Sequence, residues 1–305
     1  MIVPKNPHLN LDAIADSGQC FRWRKRGDGY VIPALGRVLR VKAADGGELE
    51  LDCTEEEYAL LWRDYFDLDT DYGAIAAVLP KEDDYLRAAA GYGRGIRILR
   101  QDPWETLVSF LISQRKNIPA IRQAVEKLCR TAGRVIGDDE DGPIYAFPSP
   151  AELLRLGEDG LRACGLGYRA PYVLRAAEVF SEADLNGFCS LEDEALLQAL
   201  CVLSGVGPKI AQCVMLFGFH RLNAFPVDVW IQRVADRRYP GGLCPERFAP
   251  FAGVMQQYMY AYERYLEGII PSAFSGSAKS APAPAPAGTR CPPACRNGGY
   301  PPPAG

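Results

Sequence analysis

Apolar and polar residues alternate along GYVIPALGRVLRVKA and ELELDC, residues 29–43 and 48–53. A period of two marks strands with one covered face. Gly27-Asp28-Gly29 and Asp45-Gly46-Gly47 supply the turns, so an antiparallel sheet is expected within about residues 17–55. From Thr54 to about Tyr265 the apolar spacing lengthens to three and four. EEEYALLWRDYF, DPWETLVSFLISQ, NIPAIRQAVEKLCRTAG, SPAELLRL, EDGLRACG, APYVLRAAEVF, EALLQALCVL, PKIAQCVMLFGF, VDVWIQRVADRRY and APFAGVMQQYMYAYERY all read as helices separated by Gly and Pro breaks. Asp102 before Pro103 is a helix start, an N-cap followed by proline at the first helical position. The pattern predicts an α+β, mainly α chain. A sheet-containing domain would cover residues 1–95 and a helical domain 96–270, whose last helix is free to pack back on the first. Residues 271–305 are Pro-, Ala- and Gly-rich with no apolar period, so a disordered tail is expected there.

Composition narrows the classes. With 48% apolar and 24% charged residues in 305, the chain is of ordinary globular type. No window is apolar enough for a membrane span, and the N-terminus lacks the pattern of a secretory signal. The expectation is an intracellular monomer. Ten cysteines stand mostly alone in apolar runs, as Cys129, Cys201 and Cys213 do, which suits reduced buried thiols. They show no four-cysteine metal spacing, and CPPAC at Cys291 and Cys295 lacks further ligands. A net charge of −4 argues against a basic nucleic-acid footprint. Backbone amides at helix N-termini can bind phosphate without adding to that charge.

The chemistry concentrates in LCVLSGVGPKIAQCVMLF, residues 200–217. A helix ends near Leu203, Ser204-Gly205-Val206-Gly207 makes a hairpin, and Pro208 opens the next helix. Gly205 and Gly207 permit positive φ and a bare backbone that can lie against phosphate. A tight helix–helix turn without ligand is the lesser alternative for the glycines alone. Lys209 changes the balance. A helix N-terminus opposes positive charge, so a lysine on its first turn asks for a reason, either phosphate contact or amine nucleophile. FPVDVWIQRV follows, in which Asp228 stands at an N-cap position and can still present a carboxylate oxygen to a ligand.

GVGPK followed by PVDVW resembles the helix-hairpin-helix DNA glycosylase superfamily. SGQCFRW (17–23), RILRQDPWETLVSFLISQRKNI (97–118), GLGYRAPYV (165–173) and FAGVMQQYMYAY (251–262) resemble the 8-oxoguanine branch. The resemblance covers about residues 10–265. It implies an N-terminal antiparallel β-sheet domain followed by a helical helix-hairpin-helix glycosylase domain. It further implies a bifunctional enzyme that flips 8-oxoguanine out of duplex DNA, preferably opposite cytosine, and then nicks the strand by β-elimination. Lys209 would attack C1′ and Asp228 would stabilise charge at the sugar. Gly18 would offer its carbonyl to N7–H of the oxidised base, Gln256 would bond its Watson–Crick edge, and Cys213 and Tyr260 would sandwich the ring. Asn117, Tyr168 and Arg169 would fill the vacated stack and contact the orphaned cytosine, with Gly205 and Gly207 on phosphate. No cofactor is required. Carbonyls of Cys201, Leu203 and Val206 would hold a structural monovalent or divalent cation. The enzyme would work with the genomic DNA, in a nucleoid or a nucleus.

Three departures stand out. The wedge loop reads Gln114-Arg115-Lys116-Asn117 where animal relatives are asparagine-rich. Ala120 replaces a second arginine, and Trp230 stands where a histidine is common. Three rivals also remain. A non-catalytic helix-hairpin-helix module leaves Asp228 unexplained. An alkylated-base glycosylase usually lacks the hairpin lysine. An oxidised-pyrimidine glycosylase of the endonuclease III type normally carries a four-cysteine cluster.

Overall fold

A computed structural model describes residues 1–182 and 185–270; the tail expected over 271–305 lies outside the described residues. Five strands, β1 Ile2–Val3, β2 Arg24–Arg26, β3 Gly29–Ala34, β4 Arg37–Ala43 and β5 Leu49–Leu51, form an antiparallel sheet in the order β1-β5-β4-β3-β2. The expected alternation holds in β4, whereas β3 is buried along its whole length. Tyr30 pairs with Val41 and Ile32 with Leu39, and Ile32, Leu39, Val41 and Leu51 enter one core with Trp23 and Trp62. The sheet recruits β1 from outside the expected 17–55, pairing Ile2 with Glu50, while SGQCFRW precedes β2 as turn and extended chain.

The helical reading of Asp102–Gln114 is accurate to its caps. Asp102 accepts the Glu105 amide at 2.8 Å, and the helix Pro103–Ser113 buries nearly every apolar residue. Elsewhere the structure corrects the sequence. The stretch expected to be wholly helical contains a second, two-stranded sheet, β6 Val135–Asp139 with β7 Gly142–Tyr145. A register shift between Val135 and Gly137 breaks the period, and the acids that follow read locally as loop. Arg24 holds Asp139 at 2.9 Å and Glu126 at 2.8 Å, which fastens this hairpin to the main sheet.

The last helix, Ala252–Leu266, packs against Asp84–Tyr92. Tyr85 donates to Glu263 at 3.2 Å there. A buried polar cluster also ties the segment after the hairpin helix to the N-terminal part. Asp67 accepts the Tyr72 hydroxyl at 3.0 Å and the Thr70 hydroxyl at 2.9 Å, and it meets Arg100 at 3.1 Å and His220 Nε2 at 3.3 Å. Burial opposes ionisation of Asp67, but His220, Thr70 and Arg100 outweigh it and hold the carboxyl below its ordinary range. That stabilisation is present above the unfolded carboxyl's titration and is lost as pH falls through the folded one. Asp67→Ala removes the shared acceptor of the buried Tyr72 hydroxyl and His220, although Arg100 keeps Asp64 and His220 keeps the Ile98 carbonyl, so a loss of about 1–3 kcal/mol is expected. Urea midpoints at neutral pH and at pH 3 test it: the gap should narrow at acid pH, and a constant gap would refute the ionic account.

Candidate active site

The hairpin assembles as the sequence indicates. The helix Asp193–Cys201 ends, Val206 donates its amide to the Leu203 carbonyl at 3.0 Å, and the helix Pro208–Phe217 begins at Gly207 without a side-chain cap. The two glycines differ in purpose. Gly205 has φ +80°, and a Cβ there would meet the Tyr172 ring at 2.5 Å, so its bareness serves packing. Gly207 is extended and faces open space. It is the better phosphate approach, since the uncapped amides of the helix start there.

Lys209 is exposed, with its Nζ 6.0 Å from the centroid of the Phe110 ring. Phe110 stacks on Phe217 at 5.6 Å and meets Phe21 edge-on at 5.7 Å, a rigid apolar floor built from three elements. Asp228 caps the helix Val229–Arg238 through one oxygen, Oδ1, which accepts the amides of Trp230 and Ile231 at 3.0 and 2.9 Å. Burial raises its carboxyl above the ordinary value, opposed by the two amides and by the positive charges of Lys209 and Arg264. Cys213, one turn below Lys209, is buried. Burial pushes its thiol up to about 12, with Lys209 drawing it down and Asp228 raising it, so it is a neutral apolar surface at physiological pH.

The far wall comes from the last helix. Gln256 is buried and donates to the Pro226 carbonyl at 3.1 Å, while Gln257 donates to Gln256 Oε1 at 2.9 Å. Tyr260 follows one turn later, its hydroxyl pushed up to about 12 by burial. Gly18 arrives from the N-terminal part at φ +77°, so close that a Cβ would stand 3.1 Å from the Tyr260 hydroxyl. Gln19 fixes this turn. Its amide donates to Arg97 O and accepts from Leu99 N, both at 2.8 Å. Lys209, Asp228, Cys213, Tyr260 and Gly18 thus meet around one site, with Gln256 a turn from Tyr260.

The expected DNA-facing residues lie together on the loop side, in a different posture. Tyr168 is 45% exposed and edges against Tyr172 at 6.2 Å. Arg169 points inward. It donates to the Gln114 carbonyl through Nε at 3.0 Å and to Leu166 O at 3.3 Å, with its guanidinium 4.3 Å from the centroid of the Tyr168 ring. Asn117 caps the helix Ile118–Ala132 by accepting the Ala120 amide at 3.0 Å, so its side chain already has a structural task. Arg115, in the same loop, is exposed with φ +53°. Gln114 also reaches the Gly205 carbonyl at 3.3 Å, which joins wedge loop and hairpin. The sequence reading missed Gln19, Gln114 and Tyr172. Their only local signal is a polar or aromatic residue beside a glycine turn.

Cys201 closes its helix, where carbonyls lack intrahelical partners, and the Leu203 carbonyl keeps one lone pair beyond the Val206 amide. Such neutral hard oxygens fit a monovalent or hard divalent cation. Among the described residues no group of three or more His, Cys, Asp or Glu is placed to hold a metal, and all eight cysteines there are free.

Comparison with known proteins identifies the family. Residues 1–107 match the family described as 8-oxoguanine DNA glycosylase, N-terminal domain, and residues 108–241 match the HhH-GPD superfamily of base excision DNA repair proteins. The chain is 30% identical over 273 residues to N-glycosylase/DNA lyase OGG1 of Arabidopsis thaliana, spanning 84% of this chain and 74% of that protein. The chain belongs to the 8-oxoguanine DNA glycosylase family. Among solved structures it is similar to Clostridium acetobutylicum 8-oxoguanine glycosylase/lyase bound to duplex DNA with cytosine opposite 8-oxoguanine. That match has a TM-score of 0.80 and 32% identity, covering 87% of this chain and 95% of that one. It is also similar to MBOgg1 in complex with a low-affinity DNA ligand, with a TM-score of 0.82 and 36% identity, covering 87% and 96%. No helix among the described residues is long and apolar enough to cross a membrane.

Proposed function

We propose that this family member excises 8-oxoguanine from duplex DNA and cleaves the strand at the resulting site. One observation carries the reading: Lys209, on the uncapped hairpin helix, shares a site with a half-buried carboxylate, Asp228, and a pocket walled by Cys213, Tyr260 and Gly18. Excision requires the base to leave the stack. The Lys209 amine then displaces it at C1′ and forms a Schiff base with the opened sugar. Loss of the C2′ proton breaks the 3′ C–O bond by β-elimination. Asp228 opposes the positive charge that develops on the sugar. The Gly18 carbonyl accepts N7–H, a proton that guanine lacks, and an unmade buried hydrogen bond discriminates strongly. Gln256 retains one N–H and one lone pair for the Watson–Crick edge. The enzyme acts as a monomer on genomic DNA, in the compartment that holds it, and a cation at the Cys201, Leu203 and Val206 carbonyls would bridge the hairpin to phosphate. Borohydride trapping on duplexes carrying 8-oxoguanine, an alkylated purine or an oxidised pyrimidine tests the reading. Covalent capture confined to either of the latter two would overturn it.

Opposite-base selectivity should be weaker than in relatives with two arginines on the cytosine. Ala120 offers no donor, and Arg169 must surrender its bonds to the Gln114 and Leu166 carbonyls before it can reach an orphaned base. Each charge-assisted hydrogen bond missing is worth about 1.5–3 kcal/mol, roughly ten- to a hundredfold in discrimination. Single-turnover excision opposite cytosine, thymine, guanine and adenine measures it. A cytosine preference as steep as in the two-arginine relatives would contradict the expectation, unless Arg115→Ala or Lys116→Ala flattened it.

A further inference from the structure

The last helix places Gln256, Tyr260 and Arg264 on one face, each a turn apart. The first two line the pocket, and Arg264 lies behind it. This arginine is 8% exposed, and among the described residues no carboxylate stands within ion-pair distance of it. The Asp228 carboxylate feels its charge from beyond that distance, and a buried charge is costly unless its donors are also satisfied, so its direct contacts matter. Its guanidinium carbon is 5.0 Å from the centroid of the Tyr260 ring, and Nη1 donates to the Asp16 carbonyl at 2.8 Å. Asp16 ends the helix Leu11–Asp16, where carbonyls lack partners. Two residues on is Gly18, whose own contact is again Tyr260.

The Gly18 turn is therefore held on both sides. Gln19 fastens it after the glycine to residues 97 and 99, and Arg264 fastens it before the glycine to the last helix. Two walls of the pocket, from parts of the chain far apart, are referenced to one guanidinium. A guanidinium lies over a ring while its edge donates in a fixed plane; an ammonium on a flexible stem can make both contacts but fixes no such plane.

We propose that Arg264 is a positioning residue of the base pocket, setting the Gly18 carbonyl at its distance from the Tyr260 ring so that the N7 proton of the oxidised base can be read. This rests on the pocket assignment above. Removing Arg264 should impair steps that need a base in the pocket more than steps that do not. β-Elimination at a preformed abasic site uses Lys209 with no base present. It supplies the internal reference that a general folding defect would move equally.

The experiment compares full-length wild type with Arg264→Leu, Arg264→Lys and Arg264→Gln. Single-turnover excision is measured on 8-oxoguanine opposite cytosine, and strand cleavage on an abasic site opposite cytosine. In Arg264→Leu the ratio of excision to abasic-site cleavage should fall at least about tenfold, and Arg264→Lys should restore only part of it. If Arg264→Leu fails to fold, Arg264→Gln, which keeps a donor for the Asp16 carbonyl, should show a smaller fall in the same direction. An unchanged ratio, or equal loss of both activities in a folded variant, overturns the positioning role. A wild-type enzyme that cleaves abasic DNA but does not excise 8-oxoguanine would instead overturn the function it rests on.

Discussion

Lys209→Gln is expected to keep affinity for lesion-containing duplex while losing base excision and the borohydride-trapped adduct together. Glutamine keeps the polarity and most of the length at an exposed position on the first turn of the helix, so folding and the backbone contacts to phosphate should survive. What disappears is the amine. Without it neither the substitution at C1′ nor the Schiff base can form, and removal of a nucleophile from a concerted site typically costs about 10⁴-fold or more. The surroundings offer no substitute. Cys213, a turn away, is buried, with its thiol pushed up to about 12, and among the described residues no other lysine lies over the Phe110 ring. Single-turnover excision, adduct yield and gel-shift affinity should be measured on one preparation. Adduct at wild-type yield would place the nucleophile elsewhere. Loss of binding in parallel with loss of rate would make Lys209 a phosphate contact and nothing more.

The parts legible in the sequence were those decided by near neighbours. Asp102 before Pro103, Asp228 before Val229 and Gly207 before Pro208 announced three helix starts, and each stands at a cap in the structure. Cap chemistry is local, so a window of a few residues contains it. Alternation in β4 marked a strand for the same reason, whereas β3 is buried along its whole length. What stayed hidden depends on pairing across the chain. Arg264 meets a carbonyl 248 residues earlier, and nothing around AYERY marks it as more than a basic residue in a last helical turn. Arg169 reads as a solvated loop arginine. Only the fold brings the Gln114 carbonyl, 55 residues away, against its guanidinium. The β6–β7 hairpin was hidden by its own irregularity, since a shifted register erases the period on which strand recognition depends. The pocket residues Cys213, Gln256 and Tyr260 are a third case. Each sits at an ordinary core-facing helical position, and only family resemblance singled them out before the structure placed Gly18 and Tyr260 in contact.

Asp228→Asn should slow excision by about 10²–10³-fold with little change in affinity, because the carboxylate opposes charge that exists only in the transition state. The stability of the same variant decides between chemistry and capping. A side-chain oxygen of asparagine can still accept from the Trp230 and Ile231 amides, so the helix start is retained. Burial raises the Asp228 carboxyl despite those two amides and the charges of Lys209 and Arg264. A carboxyl raised in the folded state binds protons that the unfolded chain has released. Its ionised form therefore costs stability as pH rises from the unfolded titration through the folded one. At neutral pH the asparagine variant should melt at the same temperature as wild type or higher, and the difference should shrink as pH falls below the ordinary carboxylate range. Activity should move the opposite way. The acid limb of wild-type excision should lie above the ordinary Asp value of 3.8, where protonation removes the charge the sugar needs, and the residual rate of the variant should lack that limb. A variant that melts lower but excises at wild-type rate would make Asp228 a cap alone. A slower, equally or more stable enzyme would mean that this carboxylate is kept ionised in a buried place for its effect on the reaction, at the expense of the fold.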